Sequence, residues 1–173
     1  MFKWIGFMVV IGLVAIPGTA VTQPLGDEAT PAGMSRVRAG HQELRALMTR
    51  ASEQSLTFRR MVETINASDG IVYVVPGFCG HGVAACLTNV TTAGDNRILW
   101  VRVDTRKHEI DLMASIGHEL RHAIEVLGDP TITTNAAMHL FYVREGVVRS
   151  SGAFETAAAV EAGRAVRVEI QKQ

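Results

Sequence analysis

Between Lys107 and Leu127 the chain repeats its apolar residues with a helical period, and this stretch constrains the fold more than any other. Leu112, Met113, Ile116, Leu120, Ala123, Ile124 and Leu127 gather on one side, a stripe broad enough to lie against a core. At about 100° per residue, Asp111, Ala114, Ser115, His122 and Glu125 all fall within about a right angle of His118 on the other side. A solvated face would carry long charged residues in i,i+4 pairs. This one carries two histidines, short polar side chains and the small Ala114 and Gly117, which suits close approach by another element. Gly128 and Asp129-Pro130 supply a stop.

The centre of that face reads His118-Glu119-Leu120-Arg121-His122. Residues four apart on a helix lie one turn above each other, so both imidazoles can be aimed at one Zn²⁺. Glu119, the next residue round, is placed to take a proton from a water held by that ion. The small and polar neighbours suit hydrogen bonds that orient the ligating rings, a role open to Asp111 and Glu125.

These five residues resemble the HExxH motif of the zincins, a class of zinc metallopeptidases. The resemblance implies that His118 and His122 bind zinc and that Glu119 serves as general base and proton shuttle. The extended metzincin pattern is missing: position 125 is Glu, and no histidine follows at the required distance. What remains is similar to the gluzincin branch, where a Glu on a later helix is the third ligand.

A catalytic zinc takes three protein ligands and leaves one position for water. Downstream candidates are Glu125, His139, Glu145, Glu155 and Glu161. Glu155 is expected to be the third ligand, on a helix running to about Val168, where it shares a face with Ala158, Ala159, Ala162 and Val166. A carboxylate on an apolar face is costly unless paired or coordinated, and small neighbours let the helix pack tightly. Glu125 lies one turn too far along a straight helix and is the runner-up. Glu161 is spaced to pair with Arg164, Glu145 reads as a loop carboxylate, and His139 as an ordinary helix residue. Tyr142, Arg144 and His139 are available as donors to a developing oxyanion; nothing selects among them, and Tyr142 is carried forward.

The N-terminus has Lys3, an apolar run from Trp4 to Ile16 and small residues before a cut after Ala20, the pattern of a secretory signal over 1–20. The run is short for a membrane span, so no stable insertion is expected after cleavage, and an uncleaved anchor is the lesser alternative. Residues 21–33 read as a flexible leader and 34–173 as a single domain. The two cysteines, Cys79 and Cys86, are expected to form a disulfide in an exported chain. A second metal site from Cys79, His81 and Cys86 is the alternative, although its spacing matches no usual zinc pattern. Charge is balanced and no basic run appears, which argues against a nucleic-acid partner.

Helices are expected over Ser35–Arg50, Leu56–Asn66 (with Ser55 as N-cap) and Asn135–Val143, and strands over Ile71–Val75, Cys86–Thr92 and Arg97–Asp104. The expected class is α+β: N-terminal helices, a small antiparallel sheet, the motif helix and C-terminal helices, the order of a minimal zincin core. In zincins an edge strand beside the site holds the peptide by backbone pairing, and either of the last two strands is available for that. The functional expectation is a secreted or periplasmic zinc peptidase with a peptide or protein substrate. A non-catalytic, zinc-stabilised binding module of the envelope is the alternative, and a helical protein with an accidental motif a third.

Overall fold

In the computed structural model, residues 36–80, 82–148 and 154–173 are described; the expected signal and leader lie outside them. The elements run β1 (Val37–Ala39), α1 (Gln42–Gln54), α2 (Leu56–Asn66), β2 (Gly70–Pro76), β3 (Ala85–Ala93), β4 (Asn96–Val103), α3 (Glu109–Gly128), α4 (Asn135–Glu145), the two-residue strands β5 (Val147–Val148) and β6 (Phe154–Glu155), and α5 (Ala157–Gln171). The class is α+β. Among the described residues no helix is long and apolar enough to cross a membrane.

The four-stranded sheet has the order β1-β2-β4-β3. It is mixed, which corrects the expectation of an antiparallel sheet: β1 and β4 both run parallel to β2, and only β3 pairs antiparallel, with β4. Strands that follow one another in sequence suggest a meander, but β4 inserts between β2 and β3. This buries Leu99, Val101 and Val103 beside Val72 and Val74, all fully shielded from solvent. The apolar run Ile71–Val75 fits such an internal, parallel-paired strand. The hairpin from β3 to β4 turns at Gly94, whose φ of +57° is a conformation L-residues rarely adopt.

The N-terminal segment needs a second correction. The expected helix from Ser35 begins only at Gln42, because Val37–Ala39 pairs with Val72–Val74 as an edge strand. Val37 and Leu44 are seven residues apart, two helical turns, and both are buried, so the helical period is satisfied by residues in different elements. Gly40 closes the strand, donating its N–H to Val74 O at 2.8 Å.

The helices cover one face of the sheet, and the buried side chains of all these elements join in one cluster, with Met48, Phe58, Ile65, Leu99, Ile116 and Leu120 among its fully buried members. Helix α3 runs through the middle of it. Its expected apolar stripe is buried at Leu112, Met113, Ile116, Leu120 and Ala123. Its polar face is covered in turn by α5, which packs on α3 over a long antiparallel contact. Gly117 and Gly163 permit this closeness. A Cβ on Gly117 would stand 2.9 Å from Val166 Cγ2, and one on Gly163 would meet His118 Cβ at 3.1 Å and Ala114 O at 3.2 Å.

Arg97, the second residue of β4, fixes the far end of α3. It is buried, and its guanidinium donates to both carboxylate oxygens of Asp69 at 2.8 Å. It also donates to Val126 O (3.0 Å), Leu127 O (2.7 Å) and Asp129 O (2.7 Å). These carbonyls lie at a helix C-terminus, where the i→i+4 donors run out (Val126 O and Asp129 O keep only the longer backbone bonds from Asp129 N and Ile132 N) and a cation is favoured. The Arg97 hydrogen bond in turn holds the Asp69 carboxyl below its ordinary range.

At the other side of the molecule Glu169 of α5 caps α2. Its carboxylate accepts from Ser55 Oγ, Thr57 N (3.0 Å) and Thr57 Oγ1 (2.7 Å), while Ser55 Oγ accepts from Phe58 N (3.0 Å) as expected of an N-cap. Burial works to raise the Glu169 pKa, but these hydrogen bonds outweigh it and lower it below the ordinary value. A lowered carboxylate pKa means that the stabilisation is complete above the unfolded value, about 4.3, and is lost as pH falls through the folded one. Glu169→Gln is therefore expected to cost about 1 kcal/mol at pH 7. In urea unfolding, the gap between the two proteins should close on acidification below about pH 4. A gap independent of pH would exclude the charged cap as its source.

Candidate metal centre

Helix α3 is buried by its apolar stripe on one side and by α5 on the other, so His118 and His122 enter a confined space. His122 is almost fully buried. Its Nδ1 lies 3.0 Å from Glu125 Oε2, and its ring stands edge-on to Tyr142, with centroids 5.1 Å apart. For a neutral imidazole, the carboxylate at Nδ1 holds the proton there and leaves the lone pair on Nε2. The other oxygen of Glu125 accepts from Thr156 Oγ1 at 2.7 Å. Burial raises the Glu125 pKa, but the His122 and Thr156 hydrogen bonds overcome it, so the group is held below the ordinary range as a carboxylate. Glu125 is thus placed against the His122 ring and is not among the converging ligand atoms.

Glu155 meets the two histidines, though not on the expected helix. Thr156 is the N-cap of α5, its Oγ1 accepting from Ala159 N at 3.1 Å, so the helix starts after it. Glu155 itself is extended in β6, where it pairs with Val147. One residue, Thr156, therefore ends the strand that carries Glu155, starts the helix that packs on α3, and holds the carboxylate that orients His122.

Glu155 Oε2 lies 2.9 Å from His118 Nε2 and 3.9 Å from His122 Nε2. Ligand atoms of His118, His122 and Glu155 all fall within 4.8 Å of one another. Ligand atoms around a tetrahedral ion with bonds of 2.0–2.2 Å are separated by roughly 3.5 Å. Glu155 Oε2 is buried and makes no hydrogen bond of proper geometry. A buried carboxylate oxygen held this close to a ring nitrogen without a hydrogen bond is costly, and a cation between them would satisfy both. His118, His122 and Glu155 form a group that can hold a metal ion.

Glu119 points from the same turn of α3 toward the sheet. It is buried, with Oε1 4.0 Å from His118 Nε2, and its Oε2 accepts from the backbone N–H of Leu87 in β3 at 2.7 Å. Burial pushes its carboxyl up to about 7, against the pull of His122 and of the Leu87 N–H, and with added repulsion from Glu155. A carboxyl poised there can exchange a proton near neutral pH. This link between the motif and the sheet joins residues 32 apart, and nothing local to either one announces it.

An open cleft of about 400 Å³ adjoins the group. Ala114, Ser115, His118 and Glu119 of α3 form its floor, Val160, Gly163, Arg164 and Arg167 of α5 one wall, and Ala84 and Ala85 the other, with Glu155 at one end. Of the two strands, β4 is internal and β3 is an edge, and Ala85 and the Leu87 N–H put β3 beside the site.

The remaining candidates lie elsewhere. Asp111 is paired with Arg167 rather than with an imidazole. Tyr142 is buried, its hydroxyl donating to His122 O at 3.0 Å, so it props the backbone of the second histidine and offers no free donor to the cleft. Burial pushes its phenol well above the ordinary range. His139 is exposed against Phe154, and Glu145 pairs with Arg144 at the surface. Glu161 is exposed, and the expected Glu161–Arg164 ion pair is not among those formed by the described residues. Cys79 and Cys86 are joined in a disulfide, which removes both thiolates from any second metal site; His81 lies outside the described residues.

Neither the known protein families, nor curated proteins, nor solved structures contain a match to this chain.

Proposed function

We propose that the chain is a secreted or periplasmic zinc-dependent peptidase. The observation that carries this reading is the meeting of Glu155 Oε2 with the Nε2 atoms of His118 and His122, beside a buried Glu119 that takes no part in the ligand group. Two imidazoles and one carboxylate with an adjoining cleft suit zinc in an open, catalytic arrangement. When bound there, zinc would lower the pKa of a coordinated water toward neutrality and polarise a carbonyl oxygen.

The chain's own residues supply the rest. Glu125 keeps the His122 proton on Nδ1, and Tyr142 holds the backbone of that residue. Glu119 would accept a proton from the attacking water and return it to the leaving amine. Its bond to Leu87 N fixes the carboxylate against β3. Along that strand backbone groups alternate in direction. Leu87 N–H faces Glu119, so Ala85, two residues earlier, also turns its backbone away from β4, at the wall of the cleft. An extended peptide can pair there while its carbonyl lies over His118 and Glu119. The disulfide fits an oxidising compartment and supports export.

The test is zinc content of the purified chain together with hydrolysis of a peptide library. One zinc per chain and hydrolysis abolished by chelation are expected. Glu155→Ala should weaken zinc binding by more than the roughly 10–100-fold typical of a lost supporting hydrogen bond. A chain that binds no zinc, or whose affinity ignores this substitution, overturns the assignment.

A further inference from the structure

The cleft carries a cationic wall that the proposed hydrolysis does not use. Helix α5 presents Val160, Gly163, Arg164 and Arg167 to it, spaced at i, i+3, i+4 and i+7 so that one stripe of the helix faces the space. The two arginines differ. Arg167 is bound to Asp111, so its charge is matched. Arg164 lies one residue from Gly163, where an added Cβ would stand against His118 Cβ and the carbonyl of Ala114, and no hydrogen bond or ion pair joins Arg164 to another described residue. The carboxylate closest in sequence, Glu161, is spaced to pair with it on the helix and does not. Beyond the arginines, the ionisable lining residues are His118, Glu155 and Glu119, all at the metal centre and its neighbouring base; Ala84, Ala85, Ala114, Ser115 and Val160 carry no ionisable group.

From this arrangement we infer that the cleft selects peptides carrying a carboxylate, which Arg164 receives as a charge-assisted, bidentate partner. The inference rests on the peptidase reading for the word "substrate", but not for the binding of the anion. The spacing gives a position. Gly163 lies against Ala114 and His118, so the next residue of α5, Arg164, stands beside the turn of α3 that carries His118 and lines the same cleft. An extended peptide advances about 3.3 Å per residue, so a carboxylate within about two residues of the bond over His118 is the one offered to Arg164. An acidic side chain at that distance, or the C-terminal carboxylate of a short product-like peptide, has the same chemistry.

Two measurements test it. In the first, zinc-loaded chain is given fluorogenic hexapeptides built on Ala, each carrying Glu or its isostere Gln at one position, with free or amidated C-termini. Wild type should cleave the best Glu or free-acid peptide about tenfold faster in kcat/KM than its neutral partner at low salt. Arg164→Gln should bring that ratio to about one, with Arg164→Lys between them, and added salt should shrink the preference. In the second, the same peptides are titrated by calorimetry into the Glu119→Gln chain, with and without Arg164→Gln. The acidic peptide should bind more tightly, and only when Arg164 is present. Equal handling of acidic and neutral peptides, or a preference that survives Arg164→Gln, overturns the inference while leaving the peptidase reading intact. Arg164-dependent binding of the acidic peptides with no hydrolysis of any of them upholds the anion site and overturns the peptidase reading.

Discussion

Glu119→Gln is expected to bind zinc as wild type does and to lose hydrolysis by about 10²–10⁴-fold, the range that a positioned general base contributes. The substitution is a narrow one here. Glu119 is not among the converging ligand atoms, and its structural duty is to accept the Leu87 N–H at 2.7 Å, which the carbonyl oxygen of Gln can also do. What the amide cannot do is take up a proton. It also places a neutral group where burial disfavours a charged one, so urea unfolding should show the variant at least as stable as wild type. Zinc content, stability and kcat/KM measured on one preparation separate the roles. A variant that keeps its zinc and still hydrolyses peptides at the wild-type rate would sink the assignment of Glu119 as base. Equal zinc affinity in both proteins, with no hydrolysis by either, would favour a zinc-stabilised binding module.

The largest loss of stability is expected from Arg97→Met. The methionine fills much of the same buried volume but leaves Leu127 O without the donor that satisfies it, Val126 O and Asp129 O with only the backbone N–H groups of Asp129 (3.4 Å) and Ile132 (3.2 Å), and Asp69 without its partner. Each buried carbonyl left unpaired costs about 1–3 kcal/mol, and removing one member of a buried charged pair about 3–5 kcal/mol. These overlap, and Asp69 is partly open to solvent, so the sum is roughly 3–5 kcal/mol rather than their total. Asp69→Asn should cost less, since the guanidinium keeps its bonds to the end of α3. Lysine at 97 should rescue little, because one ammonium cannot reproduce a planar fork reaching several acceptors. Urea unfolding of the zinc-free proteins gives the comparison, read as a shift in midpoint at constant slope. A change below about 1 kcal/mol would mean that the end of α3 is held by packing alone.

These two residues differ in how they can be found. The motif was legible because its logic is local: i,i+4 spacing puts His118 and His122 on one face whatever surrounds the helix. The periodicity of α3, the N-cap at Ser55 and the bonded cysteines are local or nearly so, and the structure has all three. Glu155 could be picked out because a carboxylate among alanines is costly unless something pairs with it. Its position in a strand could not, since that depends on Thr156 capping α5 while bonded to Glu125, 31 residues away. Arg97 gave no signal at all. At the head of a strand an arginine reads as a solvated residue, and only the convergence of α3 and Asp69 encloses it.

The sheet shows the same division. Alternation and apolar runs locate the strands, but pairing direction depends on which strands become neighbours. The insertion of β4 between β2 and β3 makes the sheet mixed and leaves β3 at the edge. That decides which backbone lines the cleft and which N–H holds Glu119. The short β1 has too few residues to show a period, and Val37 happens to fall in phase with Leu44.

By itself, the sequence determined the motif helix, its two faces, the two imidazoles with an adjacent carboxylate, and the residue types available to complete a metal group. Helical periodicity and side-chain chemistry are properties of neighbours in the chain. Tertiary structure alone decided that Glu155 meets the histidines from a strand, that Glu125, itself bonded to Thr156, holds the His122 ring, that β3 is an edge strand while β4 is internal, and that Arg164 faces the cleft instead of Glu161. Each of these depends on groups brought together from distant segments, where burial makes an unpaired polar atom costly and packing leaves few ways to satisfy it.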